Sequence, residues 1–276
     1  MKKEISLAYS PCPNDTFLFY HLVHQSLSDN FSIKEELHDV EELNQSASIS
    51  KYTVTKLSFF AYFQLIEKYI LLNSGSALGR GCGPLLVKKK GVDIGSLQKE
   101  KILVPGLNTT ANLLLQIYLN QKLEVIPTRY DLIMNKILSD EFKLGVIIHE
   151  ERFTYEEKGL EKVVDLGEYW EGYSGKPIPL GAIAIRRNEE IHLQKEFDSC
   201  LKKSLDLAYQ YSEKTKDYIL ANSQVKDPKI IQQHIDLYVN EYTRDLGQVG
   251  KDAIYFLLEK SIQIGLVNKN TRELFL

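Results

Sequence analysis

Gly145-Val-Ile-Ile-His-Glu-Glu-Arg-Phe-Thr-Tyr155 is the stretch on which the reading of this chain turns. Residues Gly145 to Ile148 are apolar and mostly β-branched, a run that suits a strand buried on both faces and is too short for a helix. Such strands belong to sheets with helices on each side, where ligands settle in the crevice outside the strands' carboxyl ends. Polarity switches at that end. His149 is the first polar side chain past the strand, with Glu150, Glu151 and Arg152 after it. An imidazole on a rigid element beside charges is a candidate proton acceptor; a solvated strand-end side chain is the competing reading, because fold position alone is analogy.

Reading back from this strand gives a repeated pattern. Lys101-Ile-Leu-Val104 reads as a strand, Ala111 to Leu119 as a helix, Glu124-Val-Ile-Pro127 as a short strand and Tyr130 to Leu138 as a helix. Strand, helix, strand, helix, strand is the pattern of right-handed crossovers in a parallel sheet. Pro105-Gly-Leu-Asn-Thr-Thr110 lies where the first of these strands hands over to its helix. There, free N–H groups at the positive end of a helix dipole favour a carboxylate or phosphate. Capping requires only one of Asn108, Thr109 and Thr110, so hydroxyls are expected to remain for a ligand. Beyond the organising stretch, Leu160 to Leu166 reads as a strand and Gly167 to Gly175 as the return path. Trp170 and Tyr173 on that path are read as core or as cleft lining.

Two more apolar strands frame this region. Leu78-Gly-Arg-Gly-Cys-Gly-Pro-Leu-Leu-Val-Lys-Lys-Lys90 sets three glycines around Arg80 ahead of a strand. Phosphate loops and dinucleotide fingerprints place their glycines after a strand, so neither is present. The glycines instead suggest a turn whose backbone approaches something closely. Pro179-Leu-Gly-Ala-Ile-Ala-Ile-Arg-Arg187 is the second framing strand. Together they bracket residues 88–177 as an insertion, which predicts an α/β chain of two lobes, 1–87 with 178–276 and 88–177, crossed twice by the backbone.

In the outer lobe, Glu4 to Tyr9 alternates as a strand and Ser10-Pro-Cys-Pro-Asn-Asp-Thr16 breaks it, supplying cap oxygens for a helix over Phe17 to Val23. Asn14, Asp15 and Thr16 stand at that helix start; capping alone accounts for Asp15. A short strand at Phe31 to Lys34 and a short helix at Asp39 to Gln45 follow. Tyr52 to Ser58 then reads as a strand running straight into a helix over Phe59 to Tyr69, so Lys56, Leu57 and Ser58 sit at the junction. The aromatic run Phe59, Phe60, Tyr62 and Phe63 reads as core. After Glu189 the chain is helical, with segments at Phe197–Tyr211, Pro228–Tyr242 and Gly250–Ile264. Tyr238, Asn240, Tyr242 and Arg244 are read as a solvated helix end.

Composition narrows the function. A chain of 276 residues holds one large domain or two ordinary lobes. Its net charge of −3 comes from 34 basic and 37 acidic residues interspersed along the sequence, so nucleic acid is not an expected partner. The amino terminus does not read as a signal peptide and no run approaches roughly 18 apolar residues, which leaves no expected membrane contact and a cytoplasmic location. Cys12, Cys82 and Cys200 are too scattered for a disulfide framework or a zinc site.

Three segments thus share one design: Ser10–Thr16, Thr55–Ser58 and Gly106–Thr110 each put small hydroxyl or amide groups where a strand meets a helix. His149 makes a fourth strand end. If the lobes face each other, all four line one cleft suited to an anionic, oxygen-rich small molecule, with one base among the donors. An imidazole titrating near 6.5 is largely free to accept a proton at neutral pH. The available serines are capping residues and no nucleophile elbow is present, which favours proton abstraction over a covalent intermediate.

Several of these motifs occur together in one known family. Ser10-Pro-Cys-Pro-Asn-Asp-Thr-Phe17, Thr55-Lys-Leu-Ser58, Gly75-Ser-Ala-Leu-Gly-Arg-Gly81, Asn108-Thr-Thr-Ala111, Ile147-Ile-His-Glu-Glu-Arg-Phe-Thr-Tyr155 and Tyr238-Val-Asn240 resemble the 1,4-dihydroxy-6-naphthoate synthase family of the futalosine route to menaquinone, along essentially the whole chain. The resemblance implies a periplasmic-binding-protein fold of type II, each lobe a mostly parallel sheet flanked by helices, used as a cytoplasmic enzyme. It also implies conversion of cyclic dehypoxanthine futalosine into 1,4-dihydroxy-6-naphthoate with release of dihydroxyacetone, without a metal or redox cofactor. His149 corresponds to the proton acceptor, and Lys56 to Ser58 with Thr109 and Thr110 to substrate-binding segments; Asn14, Thr16 and Arg80 are further expected contacts. The expected partner is a small-molecule carboxylate, bound by a monomer or homodimer. Two alternatives stand beside this reading: a chorismate-dehydratase-like enzyme on the same fold, and a binding protein that only captures a small acid.

Overall fold

A computed structural model describes residues 2–276. The chain begins with β1 (Lys3–Tyr9), whose inward positions are fully buried, followed by α1 (Pro13–His24). Pro13 occupies the first turn of α1, where its missing N–H costs nothing. Next come β2 (Phe31–Leu37), α2 (Val40–Ser48), β3 (Val54–Ser58) and α3 (Phe59–Gln64). The expected helix to Tyr69 stops at Gln64, and Tyr69–Leu71 instead forms strand β4, followed by β5 (Ala77–Gly79). Four aromatic residues within α3 give it buried surface on nearly every side, and the helix closes after Gln64, where the Leu65 amide donates to the Tyr62 carbonyl.

The second sheet starts with β6 (Leu85–Lys89), then β7 (Ile102–Val104), α4 (Thr110–Leu119), β8 (Ile126–Pro127), α5 (Tyr130–Leu138), β9 (Leu144–Ile147), β10 (Leu160–Asp165) and α6 (Leu166–Ser174). Strand β11 (Ile178–Arg186) returns to the first sheet. The remainder is helical: α7 (Ile191–Gln210), α8 (Ser212–Asn222), α9 (Pro228–Tyr238), α10 (Glu241–Arg244) and α11 (Gly247–Gln263). The helix expected over Pro228–Tyr242 is thus divided at Tyr238, because the Asn240 side chain and Thr243 form a capping box that starts α10.

The sheets run β2-β1-β3-β11-β4, with β5 also on β11, and β10-β6-β9-β7-β8. Each contains three mutually parallel strands, β2-β1-β3 and β9-β7-β8. The strands adjoining the crossovers, β11 and β6, run antiparallel to their neighbours, so both sheets are mixed. The two crossovers touch. A Cβ on Gly83 would lie 2.3 Å from the Gly167 Cα, which explains the glycine at each point and places the close backbone approach at the neck between lobes.

One apolar core passes from α3 through α4 to α11 and joins both sheets, with Leu113, Leu114 and Leu115 of α4 at its centre. Fully burying each such leucine stabilises by about 1.5–3 kcal/mol. Trp170 sits in this core, its indole N–H donating to the Pro177 carbonyl, while Tyr173 is exposed; neither lines a cleft. No helix among the described residues is long and apolar enough to cross a membrane.

Candidate active site

Between the sheets lies a cleft with an empty volume of about 690 Å³, counted to its open mouth. Asn14, Lys56, Leu57, Ser58, Thr109, Thr110 and His149 all line it, so the expected segments from both lobes converge. Two expected contacts fall elsewhere. The Thr16 hydroxyl is fully buried and donates back to the Cys12 carbonyl at 3.0 Å, a bond within its own helix turn. Arg80 is exposed and turned to the neck, where its guanidinium donates to Glu171 and to the Gly175 carbonyl.

The start of α4 differs from expectation in which groups it leaves free. Thr109 caps the helix, accepting from the Asn112 amide, and its hydroxyl donates to the Gly106 carbonyl at 2.8 Å. Thr110 donates its hydroxyl to the Leu180 carbonyl at 2.6 Å, tying α4 to β11. No hydroxyl is left over. The amides of Thr110 and Ala111, by contrast, have no partner among the described residues and sit at the positive end of the helix beside the cleft. The preceding turn is also engaged: Asn108 donates through its amide and its side chain to Glu41 of α2, the side-chain bond being 2.8 Å. Burial raises the Glu41 carboxyl above its ordinary value, against the pull of these donors.

On the opposite wall Lys56 is buried, with Nζ 2.5 Å from Asp15 Oδ1. Asp15 also accepts from the Ser10 hydroxyl at 2.7 Å and the Asn14 side-chain amide at 2.8 Å, so its carboxylate is fully used. Asp15 is therefore more than a cap. Gly181 makes room for this arrangement, since a Cβ there would meet the Leu57 carbonyl at 2.9 Å and the Lys56 side chain at 3.2 Å. Lys56 and Asp15 thus form a buried ion pair that leaves no free ammonium at the wall. Ser58 is bonded on both its amide and its hydroxyl to Asn44.

His149 follows β9 directly and opens a 3-10 turn over His149–Phe153. Its backbone lies in the left-handed region at φ 57°, a conformation that costs a non-glycine residue roughly 1–3 kcal/mol and persists only where the surroundings enforce it. The ring is half-buried. Burial pulls its pKa below the ordinary 6.5, opposed by the carboxylates of Glu150, Asp39 and Asp15. Cys12 Sγ approaches Nδ1 at 3.5 Å and Tyr130 meets the ring edge-on at 5.1 Å between centroids. A neutral imidazole at the cleft wall results.

A second imidazole faces it. His234 of α9 stacks on His149 with centroids 6.3 Å apart, and its Nε2 lies 2.9 Å from the Asn14 side-chain oxygen. Burial, with His149 and Lys56 nearby, drives its pKa well below the ordinary value. Tyr238, one turn on, also lines the cleft and is buried, which corrects the reading of this region as a solvated helix end. In the sequence His234 and Tyr238 are four apart and share the apolar face of Ile231 and Ile235, a pattern that by itself reads as core. Two residues past His149, burial pushes the Glu151 carboxyl up to about 8. No group of three or more His, Cys, Asp and Glu side chains is placed to hold a metal ion among the described residues.

Comparison with known proteins agrees with this architecture. The model of a family described as menaquinone biosynthesis matches residues 5–262. A 1,4-dihydroxy-6-naphthoate synthase of Thermus thermophilus is 40% identical over 271 residues, covering 98% of each chain. One of Streptomyces coelicolor is 35% identical over 268 residues, covering 95% of this chain and 94% of its own. A crystal structure from Archaeoglobus fulgidus superposes with a TM-score of 0.89 at 33% identity, covering 96% of this chain and 98% of that one. The alkanesulfonate-binding protein SsuA of Xanthomonas axonopodis, at a TM-score of 0.71 and 11% identity over 96% of this chain and 94% of its own, shares the fold alone. A Candida albicans protein with the generic periplasmic binding protein fold does likewise, at 0.69 and 13% over 97% and 92%. With its two-lobed fold, its interlobe cleft and these full-length matches, the chain belongs to the menaquinone-biosynthesis family, and like the 1,4-dihydroxy-6-naphthoate synthases of that family it is an enzyme.

Proposed function

We propose that this enzyme is a carbon–carbon lyase that converts cyclic dehypoxanthine futalosine into 1,4-dihydroxy-6-naphthoate and dihydroxyacetone in the cytoplasm, with lobes 1–87 plus 178–276 and 88–177 enclosing the substrate. The observation that carries the mechanism is the placement of a neutral imidazole and an unpartnered helix start on one cleft. The Thr110 and Ala111 amides bind the substrate carboxylate, because they offer two N–H donors and the helix dipole where no protein group satisfies them. His149 takes a proton from carbon next to a carbonyl. The electron pair released moves the ring towards the aromatic product as the bond to the departing sugar fragment breaks, and the proton returns to that fragment. No water or redox partner enters the balance.

A positioned base supplies typically about 10²–10⁴-fold in rate, and enclosure supplies orientation and water exclusion. The test is to incubate the purified protein with cyclic dehypoxanthine futalosine and follow naphthoate fluorescence, with chorismate as a parallel substrate. Naphthoate formed only from the futalosine supports the reading; turnover of chorismate instead, or of neither compound, sinks it.

A further inference from the structure

Three elements hold the His149 ring, but only Cys12 brings a polar atom to it; Tyr130 and His234 offer ring faces and edges. Cys12 stands at the N-cap of α1, a position that favours Ser, Thr, Asp or Asn because their oxygens cap the first amides. Its side chain makes no cap bond, and the flanking Pro11 and Pro13 fix the chain there without one. Capping therefore does not account for a cysteine at this point. What the thiol does touch, at 3.5 Å, is Nδ1 of His149.

We propose that Cys12 is a positioning residue for the base: its sulfur accepts the Nδ1–H of His149 and so fixes the tautomer whose bare Nε2 faces the cleft. The inference rests on reading His149 as the proton acceptor. A base must present an unprotonated nitrogen to substrate, and Nε2 is the ring nitrogen without a partner among the described residues, so the hydrogen of the neutral ring resides on Nδ1. A buried N–H with no acceptor costs about 1–3 kcal/mol, and the Cys12 sulfur is the acceptor within reach. The opposite assignment, with the thiol donating to Nδ1, puts the hydrogen on Nε2 and leaves no lone pair facing the substrate. Burial keeps the thiol protonated, so the sulfur accepts without becoming a competing base.

The contact also crosses the gap between the sheets. Cys12 follows β1 of the first sheet, whereas His149 extends from β9 of the second. Each lobe therefore contributes one half of the pair, the accepting sulfur from one and the base from the other.

Two-bond ¹H–¹⁵N spectra of the full-length protein labelled with ¹⁵N-histidine, above the ordinary imidazole range, test this, with the His149 signals assigned by their loss in His149→Ala. The expected result is the Nδ1–H tautomer in the wild type and a shift towards Nε2–H in Cys12→Ala, with kcat lowered about tenfold and KM unchanged. A dominant Nε2–H tautomer in the wild type overturns the proposal whether or not the variant folds. Wild-type kcat with the Nδ1–H tautomer retained in Cys12→Ala overturns it too. Full turnover by His149→Ala would remove the base itself, a failure that the wild-type spectrum does not share.

Discussion

Two imidazoles meet face to face in this cleft, one from each lobe, and their settings differ in nearly every respect. His149 sits in a left-handed backbone conformation at the end of a strand, half-buried, with one ring nitrogen unpartnered. His234 lies on a regular helix, 1% exposed, with Nε2 held against the Asn14 side chain. Burial lowers the pKa of both. The contrast teaches that a depressed imidazole pKa does not by itself mark a base: His234 also has a free nitrogen, but its Nδ1 is sealed in the interior, so backbone strain and a free nitrogen that is not sealed are what set His149 apart.

That division predicts opposite phenotypes. His149→Ala is expected to lose about 10²–10⁴-fold in kcat while keeping its fold, because alanine meets the same left-handed backbone with its own Cβ and only a half-buried ring at the cleft wall is lost. His234→Ala is expected to do the reverse in kind. It leaves the Asn14 oxygen without its donor and opens a cavity, costing about 1–3 kcal/mol of stability in chemical denaturation. Its turnover should fall far less than that of His149→Ala. A His234→Ala enzyme that melts normally but is as inactive as His149→Ala would exchange the roles assigned to the two rings.

The helix start opposite them can be divided in the same way. Thr110 is the first residue of α4 and follows an extended cap, a position that accepts proline. Thr110→Pro removes amide and hydroxyl together, whereas Thr110→Val removes only the hydroxyl already spent on Leu180. Naphthoate affinity should fall about tenfold more in the proline variant than in the valine variant. Equal loss in both would move the carboxylate away from the amides.

The smallest effect is in the pH dependence of stability. Both histidines have folded pKa values below the unfolded one, so the unfolded chain takes up protons first and stability falls as pH drops through about 6.5. Glu151 behaves in the opposite sense. Its folded carboxyl holds a proton that the unfolded chain has released above about 4.5, so its contribution is complete below that pH and is lost as pH rises through about 8. Thermal melts of Glu151→Gln across this range should show a flatter alkaline side with the acid side unchanged; an unchanged alkaline side would remove the buried proton.

Much of this arrangement was legible in the sequence because it is local. Strand ends followed by small polar residues announced the cleft walls at Asn14, Lys56 to Ser58 and Thr109 with Thr110, and the paired Gly/Pro-flanked strands announced a two-lobed fold. What escaped depends on partners remote in sequence. Asp15 looked like a cap until Lys56, 41 residues away, came within 2.5 Å. Arg80 looked like a ligand contact because its partner Glu171 lies 91 residues on. The Thr110 hydroxyl looked free because its partner, the Leu180 carbonyl, lies 70 residues on. His234 was hidden for another reason: a single histidine on an apolar helix face reads as core, and only the facing His149 gives it a site to belong to.

A crystal structure with 1,4-dihydroxy-6-naphthoate bound tests the central claim most directly. The account predicts the product carboxylate on the Thr110 and Ala111 amides, with the naphthalene ring crossing the cleft so that its reacting edge lies within hydrogen-bond reach of His149 Nε2. A product whose carboxylate sits elsewhere, or whose ring leaves His149 without contact, would contradict it.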